Sequence, residues 1–205
     1  MGLYSNNIDF FIEQIFVGFG LTILFISIIV TFSIDQGAVN FFKRFRDHAI
    51  ETIRIAGIIG LCWFFIYIII ASTEDTRLFR DLFDSSKSGY LRFAIWAILL
   101  RFPVLFGLTQ LFWIEKMRSR VSYRNSIAFL IIFVALFHGA FLEKLLIFMT
   151  NIHRDYLPSD YSMFDDNFWQ YAFYLIYKSF MLFIPMVLIQ WGISMLINRF
   201  KRKNV

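Results

Sequence analysis

Long apolar stretches dominate the pattern of hydrophobic and polar positions along the chain. Five of them reach the roughly 20 residues that a helix needs to cross a lipid bilayer. They cover residues 10–34, 53–72, 93–114, 126–150 and 168–197. Charged residues rarely interrupt them, and short polar segments separate them. The pattern predicts an all-α integral membrane protein with five transmembrane helices, arranged as a single domain over residues 1–205.

Composition supports a membrane protein and excludes several other classes. The chain is 59% hydrophobic and 17% charged, whereas soluble domains are roughly 45–50% apolar and about 25% charged. This excess excludes a soluble globular domain and a disordered tail. The single cysteine, Cys62, lies inside an apolar run, which excludes a disulfide framework and a cysteine-based metal site.

The distribution of basic residues predicts the topology. The first loop, the third loop and the C-terminal tail, with adjoining helix ends, carry twelve of the 20 Lys and Arg residues, and the other outer segments carry six. Basic loops stay on the cytoplasmic side of a membrane. We therefore expect the N-terminus outside and the C-terminus inside. Contact with anionic lipid accounts for the net charge of +5, so no nucleic acid partner is needed.

Residues 41–54 are predicted to lie at the inner membrane surface. They mix Phe41, Phe42, Phe45 and Ile50 with basic residues, which is typical of an interfacial amphipathic turn. A docking surface for a soluble partner is the alternative. Farther along the chain, Gln110 and Gln190 fall in the inner half of their spans and are candidates for hydrogen bonds between helices.

Two charged residues at membrane depth form the first candidate site. Arg101 lies about 12 Å, and Glu143 about 10 Å, below the outer boundary at the helical rise per residue. The third and fourth spans are sequential and antiparallel, so we expect them to be neighbours. A buried charge needs a partner. The two residues are therefore predicted to meet, either as a structural ion pair or as a polar site that binds a ligand or relays protons.

His138 is the third candidate, about 18 Å below the same boundary. It does not share a helix face with Glu143, and either hydrogen-bonded packing or a ligand role fits its position. Haem and transition metals need several well-placed ligands, and the other two histidines, His48 and His153, fall in loops on opposite sides of the membrane. We expect no cofactor or metal to be bound by this chain. No motif of a hydrolase or transferase is present.

A motif-level resemblance covers residues 101–162. Helix three closes on residues 110–113 (QLFW) and 116–118 (KMR), helix four ends on 141–144 (FLEK), and the following loop contains 153–159 (HRDYLPS). This run resembles the quinol-interacting membrane subunits of alternative complex III, in the polysulfide-reductase membrane-subunit family. Members of that family contain two four-helix bundles with flanking spans. The five spans would correspond to the second bundle plus the closing helix.

The resemblance implies a membrane-anchoring subunit of a quinol-oxidising respiratory electron-transfer complex in a bacterial inner membrane. The chain would be structural or form part of a quinone pocket, with no catalysis of its own and a quinone bound at the level of the complex. It also implies iron–sulfur or multihaem cytochrome subunits as partners. Four residues of the outside loop would dock them: His153, Arg154, Asp155 and Pro158.

Two other functions remain open from the sequence. One is a non-redox membrane scaffold subunit of a secretion or envelope assembly that uses the same half-bundle. The other is a small proton- or ion-coupled translocation component, which would depend on Arg101, Glu143 and His138.

Overall fold

All the regular secondary structure that the structure describes is helical. The computed structural model describes residues 2–74, 89–136 and 168–203. These ranges contain α1 (Gly2–Phe32), α2 (Gln36–Glu74), α3 (Gly89–Gln110), a 3₁₀ helix (Leu111–Trp113), α4 (Glu115–Ser119), α5 (Val121–Leu136) and α6 (Phe168–Lys203).

Several of these helices are long and apolar enough to cross a membrane. Within the described ranges, the candidate spans are Phe11–Phe32, Gln36–Ile70 and Phe173–Phe200. Val121–Leu136 is a shorter apolar helix, and the residues that follow it in the predicted fourth span lie outside the described ranges. These helices are compatible with the all-α, multi-pass membrane architecture that the sequence predicts.

Helix α1 lies at the centre of the bundle. It packs against α2, α5 and α6, while α2 also contacts α3 and α6, and α3 contacts α5. The other helices therefore form an arc around α1 in the order α5, α3, α2, α6. Burial follows this arrangement. In the most apolar part of each helix, half of the residues of α1 are buried, compared with 18% for α2 and 11% for α6. The exposed apolar side chains of the outer helices suit contact with lipid.

Phenylalanine rings fill the space between the helices. Phe19 of α1 packs edge-on against Phe112 and Phe183, with ring centroids 5.5 and 5.7 Å apart. Phe16 packs against Phe106 at 5.5 Å. Phe19, Phe112 and Phe183 are fully buried, and such tilted and edge-to-face ring pairs add to the stabilisation that burial provides. These rings join α1 to α3, to the 3₁₀ helix and to α6, while most of the other buried apolar side chains of the core lie on α1, α2 and α5.

Glycines permit the closest helix contacts. A Cβ on Gly18 would lie 2.7 Å from the Cβ of Phe183 and would also overlap the Ser179 carbonyl. A Cβ on Gly20 would lie 2.8 Å from the Ala128 carbonyl oxygen. Small residues let backbones approach closely in membrane bundles, where apolar lipid supplies no hydrophobic force between helices. These glycines thus bring α6 and α5 up to opposite sides of α1.

Helix α2 begins earlier than the predicted second span. The segment 41–54, expected as an interfacial turn, is a continuous part of this 39-residue helix. Its apolar side packs inward, with Phe45, Ala49 and Ile50 buried, while Lys43 and Arg44 are exposed. The segment is amphipathic as expected. A helix can bury its apolar face and expose its charged face at the same time, so the segment needs no turn to place its charges in water.

Candidate functional site

A buried ion pair joins three helices. Arg101 of α3 places Nη2 3.6 Å from Glu13 Oε2 of α1, and both side chains are only 9% exposed. The same guanidinium donates from Nε to the Val134 carbonyl oxygen of α5 at 3.2 Å, and from Nη2 to that of Ala135. Arg101 therefore links α3 to both α1 and α5 through one planar group, whose fixed donors suit several acceptors at once.

Glu13 is a site residue that the sequence analysis missed. The charge lies three positions inside the first predicted span, which begins at Phe10, and so reads as part of its polar outer flank. The signal that identifies it is depth. By helical rise, Glu13 lies about 5 Å and Arg101 about 12 Å below the same predicted boundary. The long side chain of an arginine can span this difference in depth.

The remaining candidates predicted from the sequence cannot be placed relative to this pair. Glu143, His138 and the loop residues His153, Arg154, Asp155 and Pro158 all lie outside the described residues. The expected pairing of Arg101 with Glu143 therefore stays a prediction. The structure shows that a different carboxylate, that of Glu13 on α1, forms an ion pair with this arginine.

A polar contact next to the ion pair joins α1 to α6. Ser179 donates a hydrogen bond from Oγ to Gln14 Oε1 at 2.8 Å, and both residues are completely buried. Because Gln14 follows Glu13 directly, adjacent positions of α1 hold α3 on one side and α6 on the other. Polar groups inside a membrane bundle favour such pairing, since an unpaired group there is costly.

An apolar groove runs along the surface between α1, α2 and α6. It has a volume of about 570 Å³, within the range of roughly 300–1,000 Å³ typical of ligand sites. Its lining is almost entirely hydrophobic and includes one side chain of α3. The lining residues are Phe11, Ile12, Ile15, Phe16, Thr52, Ile55, Ala56, Ile59, Gly60, Trp63, Phe106, Met186, Ile189, Gln190 and Ile193.

The groove contains two polar side chains, Thr52 and Gln190. His48 Nδ1 lies 3.0 Å from Gln190 Oε1, and the imidazole stacks on Trp191 with ring centroids 5.3 Å apart. Thr52 donates a hydrogen bond to the His48 carbonyl oxygen at 2.9 Å. His48, placed in a loop by the sequence analysis, is thus a helical residue that positions the amide of Gln190.

Both glutamines predicted to bridge helices do so. Gln190 of α6 contacts His48 of α2, and Gln110 of α3 donates from Nε2 to the Arg54 carbonyl oxygen of α2 at 3.3 Å. Gln110 also accepts a hydrogen bond from the indole N–H of Trp113 at 2.9 Å. The prediction of interhelical hydrogen bonds at these positions is confirmed.

No metal centre is found in the part of the chain that the structure describes, where no group of three or more His, Cys, Asp or Glu side chains comes together. Comparison with protein-family models, with curated proteins and with solved structures finds no match to this chain. The geometry of the groove and of the ion pair is therefore the basis for a functional interpretation.

Proposed function

We propose that the chain is a membrane subunit of a quinol-oxidising respiratory electron-transfer complex, in which it anchors partner subunits and forms part of a quinone pocket. In this proposal it crosses a bacterial cytoplasmic membrane five times, as a four-helix bundle plus a closing helix. Its N-terminus lies outside and its C-terminus inside. The electron transfer itself belongs to iron–sulfur or multihaem cytochrome partners, which dock on the outside loop 151–167.

The apolar groove is the observation that carries this proposal. A quinone has a long isoprenoid tail and a flat ring with two carbonyl oxygens. The hydrophobic lining suits the tail, while the amide N–H groups of Gln190 supply donors for a ring carbonyl oxygen. Ile55, Ile59 and Ile189 line the groove and are about half exposed or more. A molecule dissolved in the lipid can therefore enter from the side without crossing a polar surface.

The ion pair supports the wall of this groove. Phe16 and Phe106, whose rings are in contact, lie about a turn beyond Glu13 and Arg101 on their respective helices. Holding α1 against α3 at the ion pair fixes the separation of these two rings. In this proposal Glu13 and Arg101 position the groove and have no direct part in quinol oxidation.

Purification of the full chain from its own membrane tests the proposal. The affinity-tagged protein is solubilised in mild detergent, the co-eluting proteins are identified by mass spectrometry, and an optical redox spectrum is recorded. We expect iron–sulfur and cytochrome subunits, and haem bands that are reduced on addition of quinol. A colourless preparation that contains secretion-apparatus components would support the scaffold function instead.

A pair of variants tests the groove within that complex. Ala56→Phe places a ring in the groove, whereas Ile58→Phe adds a ring on the same helix at an exposed position outside it. We expect Ala56→Phe to remove most of the quinol-dependent haem reduction and Ile58→Phe to leave it unchanged. Equal activity of both variants in an intact complex would show that this groove does not bind the quinone.

A further inference from the structure

A cluster of arginines lies at one end of the bundle, away from the Glu13–Arg101 pair. It combines Arg46 and Arg54 of α2, Arg118 of α4 and Arg124 of α5. Arg124 donates from Nη1 to the Arg118 carbonyl oxygen at 3.3 Å. Arg118 is also close enough to Arg54, and Arg46 to Arg124, for their positive charges to repel each other. Folding therefore gathers like charges from three separate helices.

Two of these guanidinium groups have unsatisfied donors. Arg124 is only 3% exposed. Within the described ranges, the buried Nε atoms of both Arg54 and Arg124 make no hydrogen bond. A buried charged group without its hydrogen bonds is costly, so this end of the bundle has the donors for an anion.

Nearby carboxylates compensate only part of the charge. Asp47 accepts hydrogen bonds from its own neighbour, Arg46, at 2.8 and 3.0 Å. Glu51 lies 3.7 Å from His48, and its charge also acts on Arg54. Burial, and then the charge of Arg46, lower the pKa of Arg124 to about 10, against a smaller opposing effect of Asp47. Arg124 precedes the predicted fourth span and stays charged at neutral pH.

Apolar surface borders the cluster. The Arg54 guanidinium carbon lies 3.3 Å from the centroid of the Trp113 ring, and Trp113, Ile114 and Val121 are about half exposed. A ligand that satisfies both features carries an anion and a hydrocarbon chain. Inorganic phosphate has only the first of these, whereas a phospholipid has both.

We propose that Arg54, Arg118 and Arg124 bind the phosphate of an anionic phospholipid, whose acyl chains lie against Trp113 and the neighbouring apolar residues. Phosphate oxygens accept hydrogen bonds from several guanidinium groups at once. The bound lipid would thereby join α2, α4 and α5 at the membrane surface. This site is independent of the proposed quinone groove.

Lipid addition to the delipidated full chain tests this proposal. The protein in a neutral detergent is titrated with phosphatidylglycerol, with phosphatidylcholine of the same acyl chains, or with inorganic phosphate. Retained lipid is counted by native mass spectrometry, and the unfolding temperature is recorded. We expect stoichiometric retention of phosphatidylglycerol and a higher unfolding temperature, with weaker effects of phosphatidylcholine and none of inorganic phosphate.

Variants locate the site. Arg124→Gln and Arg54→Gln should each weaken phosphatidylglycerol binding about tenfold, through the loss of charge-assisted hydrogen bonds. Arg44→Gln removes the same charge from an exposed position of α2 and should leave binding unchanged. If Arg124→Gln fails to fold, Arg54→Gln and the exposed Arg118→Gln decide the result.

Three results would overturn the proposal. Equal retention of the two lipids would show that the headgroup charge is not recognised. Equal weakening by Arg44→Gln would indicate diffuse attraction without a site. Stabilisation by inorganic phosphate at the same concentration would indicate a site for free anions rather than for lipid.

Discussion

At the scale of single residues, the cost of burying charge explains the contacts of Arg101. An arginine at membrane depth needs acceptors for its several N–H donors. Here one carboxylate of α1 forms an ion pair with it, and two backbone carbonyls of α5 accept its hydrogen bonds. Such a pair adds little net stability compared with apolar residues of the same size, but loss of one partner strands the other. This asymmetry can be measured.

The first prediction concerns Glu13 and Arg101. Arg101→Leu leaves a buried carboxylate, and Glu13→Leu leaves a buried guanidinium, so each should lower the free energy of unfolding by about 3–5 kcal/mol. The double variant should recover most of that loss. The free energies are measured by denaturant titration in mild detergent. Additive losses in the double variant would show that the two residues do not interact.

The same cycle distinguishes the two candidate acids. Glu143→Leu, combined with Arg101→Leu, tests the pairing predicted from the sequence. If Glu13 is the principal partner, the Glu143 cycle should show little coupling. Strong coupling in both cycles would mean that Arg101 is shared between two carboxylates.

Sequence reasoning reached part of this site because charge and depth can be read directly from the chain. Arg101 is isolated within an apolar run, so its need for a partner is evident. Which acid satisfies it depends on which helices pack together. Sequential order predicted that the third and fourth spans are neighbours, and α3 does contact α5, whose carbonyls accept from Arg101. The central position of α1, supported by glycine contacts and ring packing, also brings Glu13 to the arginine, which sequential order does not indicate.

The second prediction concerns Gly18, where α1 meets α6. Gly18→Ala places a methyl group 2.7 Å from the Cβ of Phe183, and the backbones must separate to accommodate it. We expect a loss of about 1–3 kcal/mol in the free energy of unfolding, as for other overpacked positions. The matched control is Gly192→Ala in α6, where the added Cβ meets no atom within 4 Å among the described residues.

That control should be neutral or slightly stabilising, because alanine favours helix over glycine by about 1 kcal/mol. Both free energies of unfolding are measured in the same detergent. Equal stability of the two variants would show that α1 and α6 are not in close contact at Gly18. The close contact at Gly18 would then not explain how α6 packs against α1.

At the scale of elements, the start of α2 shows how one polar residue between two helices stabilises the N-terminus of the second. Asp35 lies between α1 and α2 and accepts hydrogen bonds from the backbone N–H groups of Gly37 at 2.9 Å and Ala38 at 3.3 Å. An aspartate at this position satisfies N–H groups that have no partner within the helix, and its negative charge interacts favourably with the positive end of the helix dipole.

The third prediction follows from this N-cap. Asp35→Ala should lower the free energy of unfolding by about 1 kcal/mol. Asp35→Asn keeps an acceptor and should retain most of the stability, losing only the charge interaction with the helix dipole. Thermal unfolding of the two variants in detergent, compared with the wild type, provides the measurement. Equal destabilisation by both changes would show that the capping hydrogen bonds contribute nothing.

The bounds of a helix were predictable where the helix coincides with one long apolar stretch. They were less predictable where an amphipathic segment extends the helix beyond that stretch. Hydrophobicity places the first and fifth spans close to α1 and α6. The second span was predicted from residue 53, yet α2 starts at Gln36, because residues such as Phe45 and Ala49 pack inward while Lys43 and Arg44 remain exposed. The sequence showed the amphipathic character of this segment but not its packing partner, which includes Trp191 of α6.

At the scale of the whole molecule, the basic segments gather at one end of the described bundle. Arg46 and Arg54 of α2 lie near Arg124 and Arg118, from the segment between the third and fourth predicted spans. Phe41 of α2 also contacts Trp191, near the C-terminal end of α6. The three segments that carry twelve of the 20 basic residues therefore share one end, as the positive-inside rule requires of cytoplasmic loops.

The fourth prediction is the topology itself: five spans, with the N-terminus outside and the C-terminus inside. An odd number of spans places the termini on opposite sides, and the positive-inside rule predicts that the shared basic end faces the cytoplasm. Single cysteines at Ser5 and Asn204, in a Cys62→Ser background, are labelled in intact cells with a membrane-impermeant thiol reagent. Residue 5 should react in intact cells, and residue 204 only after permeabilisation. Reaction of both residues from the same side would require an even number of spans, and one of the five apolar segments would then have to lie at the membrane surface.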